Sequence, residues 1–193
     1  MTKDGAGFRG QGTIGILDAT LREGEQTPGV YFDPHVRMAV SRLLDEIGVD
    51  VIEAGHPVVG GEVGQGIGRL AGGGFRARIG AHARALRGDI ESALECGVDF
   101  LGIFLCISPE RLRDRGMTLG AAIECLIDSI SFAREHQPGL VVRFTPEDAV
   151  RSPLSIAVAA AAEAVHAGAD IISVADTTGC MVPGGERSLY GWV

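Results

Sequence analysis

Glu46-Ile47-Gly48-Val49-Asp50 recurs in outline as Glu95-Cys96-Gly97-Val98-Asp99 and as His166-Ala167-Gly168-Ala169-Asp170. Each phrase ends a helical pattern on a glycine, which can take the left-handed conformation that closes a helix. An apolar run then follows. Working outward from these junctions, apolar runs predict strands at 13–17, 51–54, 77–81, 100–106, 140–144 and 171–174. Longer amphipathic patterns predict helices at 34–47, 61–71, 87–95, 119–136 and 153–167. Pro34 and Pro153 suit first-turn positions behind the capping residues Asp33 and Ser152. Strands alternating with helices imply a parallel sheet covered on both faces. Six such units leave two architectures open, an open sheet or an incomplete barrel.

The chain has 193 residues, 46% of them hydrophobic, enough for one domain with a sizeable core. Its formal net charge of -8 argues against a general nucleic-acid binder, which needs a basic face. Local cationic pairs can still serve anionic small molecules. The cysteines Cys96, Cys106, Cys125 and Cys180 form no C-x-x-C pair and no zinc-type spacing, so a reducing, cytoplasmic setting is expected. Residues 1–12 are polar and Gly-rich and read as a loose arm without a secretory signal. The apolar run from 156 to 162 is broken by Glu163 and is too short for a bilayer, so no membrane partner is expected. The expected organisation is an arm followed by a single unit over 13–193. A glycine cluster at 60–68 lacks the G-x-G-x-x-G spacing and follows a second strand, so it reads as a loop and weak helix start and not as a dinucleotide site.

The chemistry begins at Asp18-Ala19-Thr20-Leu21-Arg22-Glu23-Gly24-Glu25-Gln26-Thr27-Pro28-Gly29, directly after the first strand. A guanidinium beside a carboxylate at a strand end is suited to holding an oxo acid and a divalent metal together. The carboxylate is a hard oxygen ligand, and the arginine offers a planar fork to an anion.

This segment resembles the signature of the acyl-CoA condensing enzymes that make 2-isopropylmalate, citramalate and homocitrate. Four later segments resemble that family in the same order. They are Val51-Ile52-Glu53-Ala54-Gly55-His56-Pro57, Gly80-Ala81-His82-Ala83-Arg84-Ala85, Val142-Arg143-Phe144-Thr145-Pro146-Glu147-Asp148 and Ala175-Asp176-Thr177-Thr178-Gly179. The homocitrate synthase branch fits best, over about 14–183. The resemblance implies a TIM (β/α)8 barrel, of which this length holds about six units, so the chain reads as C-terminally truncated. It also implies a transferase of amino-acid biosynthesis that condenses acetyl-CoA with a 2-oxo acid in a Claisen-type step. The expected metal is Mg, Mn or Zn, and the full-length parent is expected to be a homodimer.

By the same resemblance Glu23 matches a metal ligand and Arg22 the residue that meets the oxo group and carboxylate of the acceptor. Gln26 is a candidate hydrogen-bond donor. His82 and Arg143 match positions at the far end of the acceptor, where together they suit a second carboxylate, as in 2-oxoglutarate. Thr145 and Thr177 are candidate hydroxyl contacts, and Glu147 matches a position close to the substrate. Glu53 is expected to hold the arginines in place. The family's metal site pairs one such acid with an H-x-H, and no H-x-H occurs in this sequence. Alternatives therefore stay open: another acceptor (2-oxoisovalerate, pyruvate, or a phosphorus-bearing pyruvate), carbon–carbon cleavage as in hydroxymethylglutaryl-CoA lyases, or a non-catalytic remnant.

Overall fold

The computed structural model describes residues 14–182. Strands β1 (Leu17–Asp18), β2 (Val51–Glu53), β3 (Arg78–Arg84), β4 (Phe100–Cys106), β5 (Val141–Glu147) and β6 (Ile171–Ile172) form one sheet in chain order. Every neighbouring pair is parallel. The helices are α1 (Thr20–Glu23), α2 (Pro34–Ile47), α3 (Gly61–Ala71), α4 (Arg87–Glu95), α5 (Pro109–Asp114), α6 (Leu119–His136) and α7 (Leu154–His166). Consecutive parallel strands with a helix between each pair are the arrangement of an incomplete (β/α)8 barrel. Among the described residues, β1 pairs only with β2 and β6 only with β5.

The repeated glycine-x-aspartate phrases explain the register. Gly48, Gly97 and Gly168 have positive φ values of 89, 70 and 108 degrees, and each turns its helix into the next strand. The aspartate that follows then fixes the foot of the previous strand. Asp50 donates its N–H to Ile16 O (2.8 Å) and accepts from Ile16 N through Oδ2 (2.7 Å). Asp99 does the same with Ile79 (3.1 and 2.7 Å). Asp170 repeats it with Val142 (2.8 and 2.7 Å). Two bonds to one residue set the alignment of β1 with β2, β3 with β4 and β5 with β6 before any side chain packs. The core lies between sheet and helices, where Leu101, Ile103 and Phe144 meet Ile67, Leu70, Ile90, Leu126 and Ile130, all at or near full burial. Each contributes about 1.5–3 kcal/mol by leaving water.

Several expectations need correction. No helix was expected directly after β1, yet Asp18 Oδ1 accepts from Thr20 N (2.9 Å) at the start of α1, which a 3-10 turn over Gly24–Gln26 continues. β1 and β6 are shorter than expected, and Thr13 lies outside the described residues. β3 and β5 each run three residues further, to Arg84 and Glu147, because β4 pairs with both along its length. Asp33 caps α2 as expected, accepting from His35 N and Val36 N (2.7 and 2.8 Å). Ser152 does not cap α7; its hydroxyl donates instead to Asp148 O (2.9 Å). Helix α5 was not expected. The arm at 1–12 and the tail from 184 lie outside the described residues.

Candidate active site

The cavity formed toward the carboxyl ends of the strands has a volume of about 620 Å3. Arg22, Glu23, Gln26, His82, Arg143, Thr145, Glu147 and Thr177 all line it, so the expected metal-ligand and substrate-contact positions reach one place. Its organiser is Glu53, the last residue of β2, which is fully buried. One carboxylate oxygen accepts from Arg22 Nε (2.5 Å) and the other from Arg143 Nη2 (2.7 Å). A buried carboxylate is costly without such partners, and here it spreads two guanidinium groups over the cavity wall. Arg22 also donates to the neighbouring Glu23 carboxylate. Gly102 of β4 lies beneath this network: a Cβ there would stand 2.7 Å from Arg143 Nη2 and 2.9 Å from His82 Cδ2. A glycine at this point is what lets arginine and imidazole close over the strand.

His82 is buried on β3, and neither ring nitrogen has a partner among the described residues. Burial, then the positive charges of Arg22 and Arg143 and the neighbouring His56, push its pKa down to about 2. The ring is therefore neutral and offers one N–H and one lone pair. Arg143 Nε and Thr145 Oγ1 are likewise buried without partners. Four of the five orphaned buried side-chain atoms thus belong to this one cavity. Each costs about 1–3 kcal/mol if left unmet, so their concentration marks a surface shaped for a polar ligand.

Arg143, Thr145 and Glu147 alternate along β5 and so project from one face. Glu147 is held by Arg111 Nη1 of α5 (2.6 Å). Arg111 escaped the sequence reading because its partner is 36 positions away. Thr177 Oγ1 accepts from Asp148 N (3.0 Å), which leaves its own hydroxyl proton free to donate. Asp148 is the single described non-glycine residue with positive φ (65 degrees), and it is tied down by Arg151 (2.6 and 2.9 Å). Asp176 orients its own loop, accepting from Cys180 N (3.0 Å) and Met181 N (2.8 Å), and these bonds hold its carboxyl below the usual range. Glu25, within the first motif, serves structure: it accepts from Phe32 N (2.9 Å) and pairs with buried Arg37.

The donor set does not by itself fit a divalent cation. Glu23 is half exposed and already paired with Arg22. No group of three or more His, Cys, Asp or Glu side chains stands together to hold a metal among the described residues. None of the described helices is long and apolar enough to cross a membrane.

Residues 13–193 match the family model described as HMGL-like. Homocitrate synthase of Pyrococcus abyssi is 47% identical over 169 residues, covering 87% of this chain and 46% of that protein. Homocitrate synthase of Sulfurisphaera tokodaii is 41% identical over 182 residues, covering 92% and 39%. The chain thus spans less than half the length of these curated relatives. Among solved structures, the HMG-CoA lyase of Bacillus subtilis matches at a TM-score of 0.71 and 18% identity, over 88% of this chain and 60% of that one. An HMG-CoA lyase in complex with coenzyme A and 3-methylmalate matches at 0.70 and 16%, over 88% and 58%. At these identities the two structures speak for the fold alone, and the fold is the barrel type laid out above. The extent of the family match and the level of identity to the curated synthases place this chain in the HMGL-like family.

Proposed function

We propose that this chain carries the acceptor half of a condensing transferase, in which acetyl-CoA adds its methyl carbon to the ketone of a 2-oxo diacid such as 2-oxoglutarate. The methyl group loses a proton, the new carbon–carbon bond forms at the ketone carbon, the resulting alkoxide takes up a proton, and hydrolysis of the thioester releases the thiol. Arg22 faces the developing alkoxide and stabilises it, which is where a fixed charge contributes most. Arg143 and His82 hold the distal carboxylate, with Thr145 and Thr177 as hydroxyl contacts and Gln26 at the rim. Glu147, braced by Arg111, stands beside the reacting centre, and Glu53 positions both guanidinium groups. A divalent metal supplies Lewis-acid chemistry in such enzymes, and Glu23 is the one oxygen donor proposed for it here.

The observation that carries this reading is the collection of two part-buried guanidinium groups and four unmet polar atoms in one cavity. An apolar acceptor such as 2-oxoisovalerate would leave His82 and Arg143 unsatisfied, which favours a diacid. Purified protein is to be incubated with acetyl-CoA, Mg or Mn and each of several 2-oxo acids, with free thiol and product mass measured. Thiol release with the diacid, lost in Arg22→Ala, is expected; release of equal size with 2-oxoisovalerate refutes the diacid assignment. A second reading, ligand binding without turnover, is favoured by the lack of a three-donor cluster among the described residues. It predicts 2-oxoglutarate binding by calorimetry with no thiol release.

A further inference from the structure

His56 belongs to no expected role, yet its ring lines the cavity beside His82, with ring centroids 5.0 Å apart. The backbone explains how it is held. Ala54 N donates to Gly80 O (2.8 Å) and His82 N donates to Gly55 O (2.9 Å), extending the β2–β3 ladder beyond β2 itself. The next rung is made by a side chain, for His56 Nδ1 donates to His82 O at 2.9 Å. Gly55, at φ 142 degrees, swings the chain so that this imidazole replaces a peptide N–H. A carbonyl oxygen can only accept, so Nδ1 carries the proton. Burial first, and the charge of Arg22 second, keep the ring from taking another. Nε2 is therefore an unprotonated lone pair. It has no partner among the described residues, and its ring lies on the cavity wall.

Around it stand guanidinium groups that can only donate, hydroxyls and the Gln26 amide that can do either, the His82 ring, and the carboxylates of Glu23, Glu147 and Asp176, whereas His56 Nε2 can only accept. A fixed lone pair among them calls for a ligand that brings its own donor. We infer that His56 is a specificity-determining residue whose Nε2 accepts a hydrogen bond from the ligand, so that the cavity prefers a 2-hydroxy diacid to the 2-oxo diacid of the same skeleton. The inference rests on the proposed diacid site and extends it. The proposed carbon–carbon step likewise turns the 2-oxo group into a 2-hydroxyl, on a product that gains a third carboxylate when the thioester is hydrolysed.

Calorimetry in magnesium-containing buffer, with 2-oxoglutarate and each enantiomer of 2-hydroxyglutarate as probes, tests it. The two ligands carry the same charge and differ in the donor. One enantiomer is expected to bind about three- to tenfold more tightly than the oxo acid, the worth of one net hydrogen bond. His56→Asn keeps an amide N–H for the His82 carbonyl but lacks the Nε2 lone pair, and it is expected to bring the two ligands to parity. His56→Phe serves as a second variant should the first lose its fold, as judged by circular dichroism. Nitrogen-edited NMR of the wild-type ring is expected to show Nδ1 protonated and Nε2 bare. Equal or tighter binding of the oxo acid by the wild type, a preference that survives in both variants, or a protonated Nε2 overturns the inference while leaving the diacid site standing. Failure of all these ligands to bind removes both.

Discussion

Replacing Glu53 by glutamine puts the organisation of the cavity to a direct test. The substitution keeps the shape and one oxygen. It removes the charge shared by Arg22 at 2.5 Å and Arg143 at 2.7 Å, and turns an N–H pair toward one of them. Removing one partner of a buried ion pair costs roughly 3–5 kcal/mol, and the retained oxygen places Glu53→Gln at the lower end, about 3 kcal/mol. For a chain of this size a loss of 1 kcal/mol lowers the melting midpoint by about 2–4 °C. The variant is therefore expected to melt about 6–12 °C below the wild type by circular dichroism. It leaves two guanidinium groups facing each other with less negative charge between them, so a simple diacid such as glutarate should raise the midpoint more in the variant than in the wild type. Ligand at a hundred times its Kd adds about 2.7 kcal/mol. A midpoint within about 2 °C of wild type, with no extra response to glutarate, would show that Glu53 does not organise the arginines.

Gly102→Ala sets a methyl group 2.7 Å from Arg143 Nη2 and 2.9 Å from His82 Cδ2. Diacid binding by calorimetry should fall by about tenfold or more, equivalent to about 1.4 kcal/mol, and unchanged affinity would contradict the placement of both side chains. His82 gives a pH dependence. Its folded pKa of about 2 lies below its ordinary 6.5, so the unfolded chain binds more protons between those values. Stability is complete above pH 6.5 and falls on acidification through that window, by up to about 1.4 kcal/mol per pH unit. His82→Gln should flatten the fall between about pH 6 and 4 in urea melts; an unchanged slope would show that His82 is not buried neutral. His56 is also depressed and remains in the variant, so some slope should persist.

Much of the architecture was legible because helix, glycine and apolar run follow one another along the chain, and periodicity separates helix from strand without tertiary knowledge. The misreadings have physical reasons. His82-Ala83-Arg84 and Thr145-Pro146-Glu147 look like the ends of strands, since polar residues and proline ordinarily stop them. Pairing with β4 carries both strands on, and Pro146 is tolerated because β6 pairs with β5 no further than Phe144. Helix α5 has only six residues, too few for a periodicity to register, although Ser108-Pro109 is a fair start signal. The residues that line the cavity were visible because family motifs cluster them at strand ends, and the bonds of Glu53 to the two arginines match the bracing expected of it. The Glu147–Arg111 pair and the tautomer of His56 were not, because each depends on a partner far away in the chain.

The aspartates at the feet of β2, β4 and β6 each clasp the strand before with a paired backbone and side-chain bond, so the sheet is fastened most regularly as three doublets. A protein assembled this way can gain, lose or exchange material two strands at a time without unpicking what remains. Because the clasps sit at the end away from the cavity, the loops around the mouth are free to diverge in chemistry while the scaffold beneath them keeps its alignment.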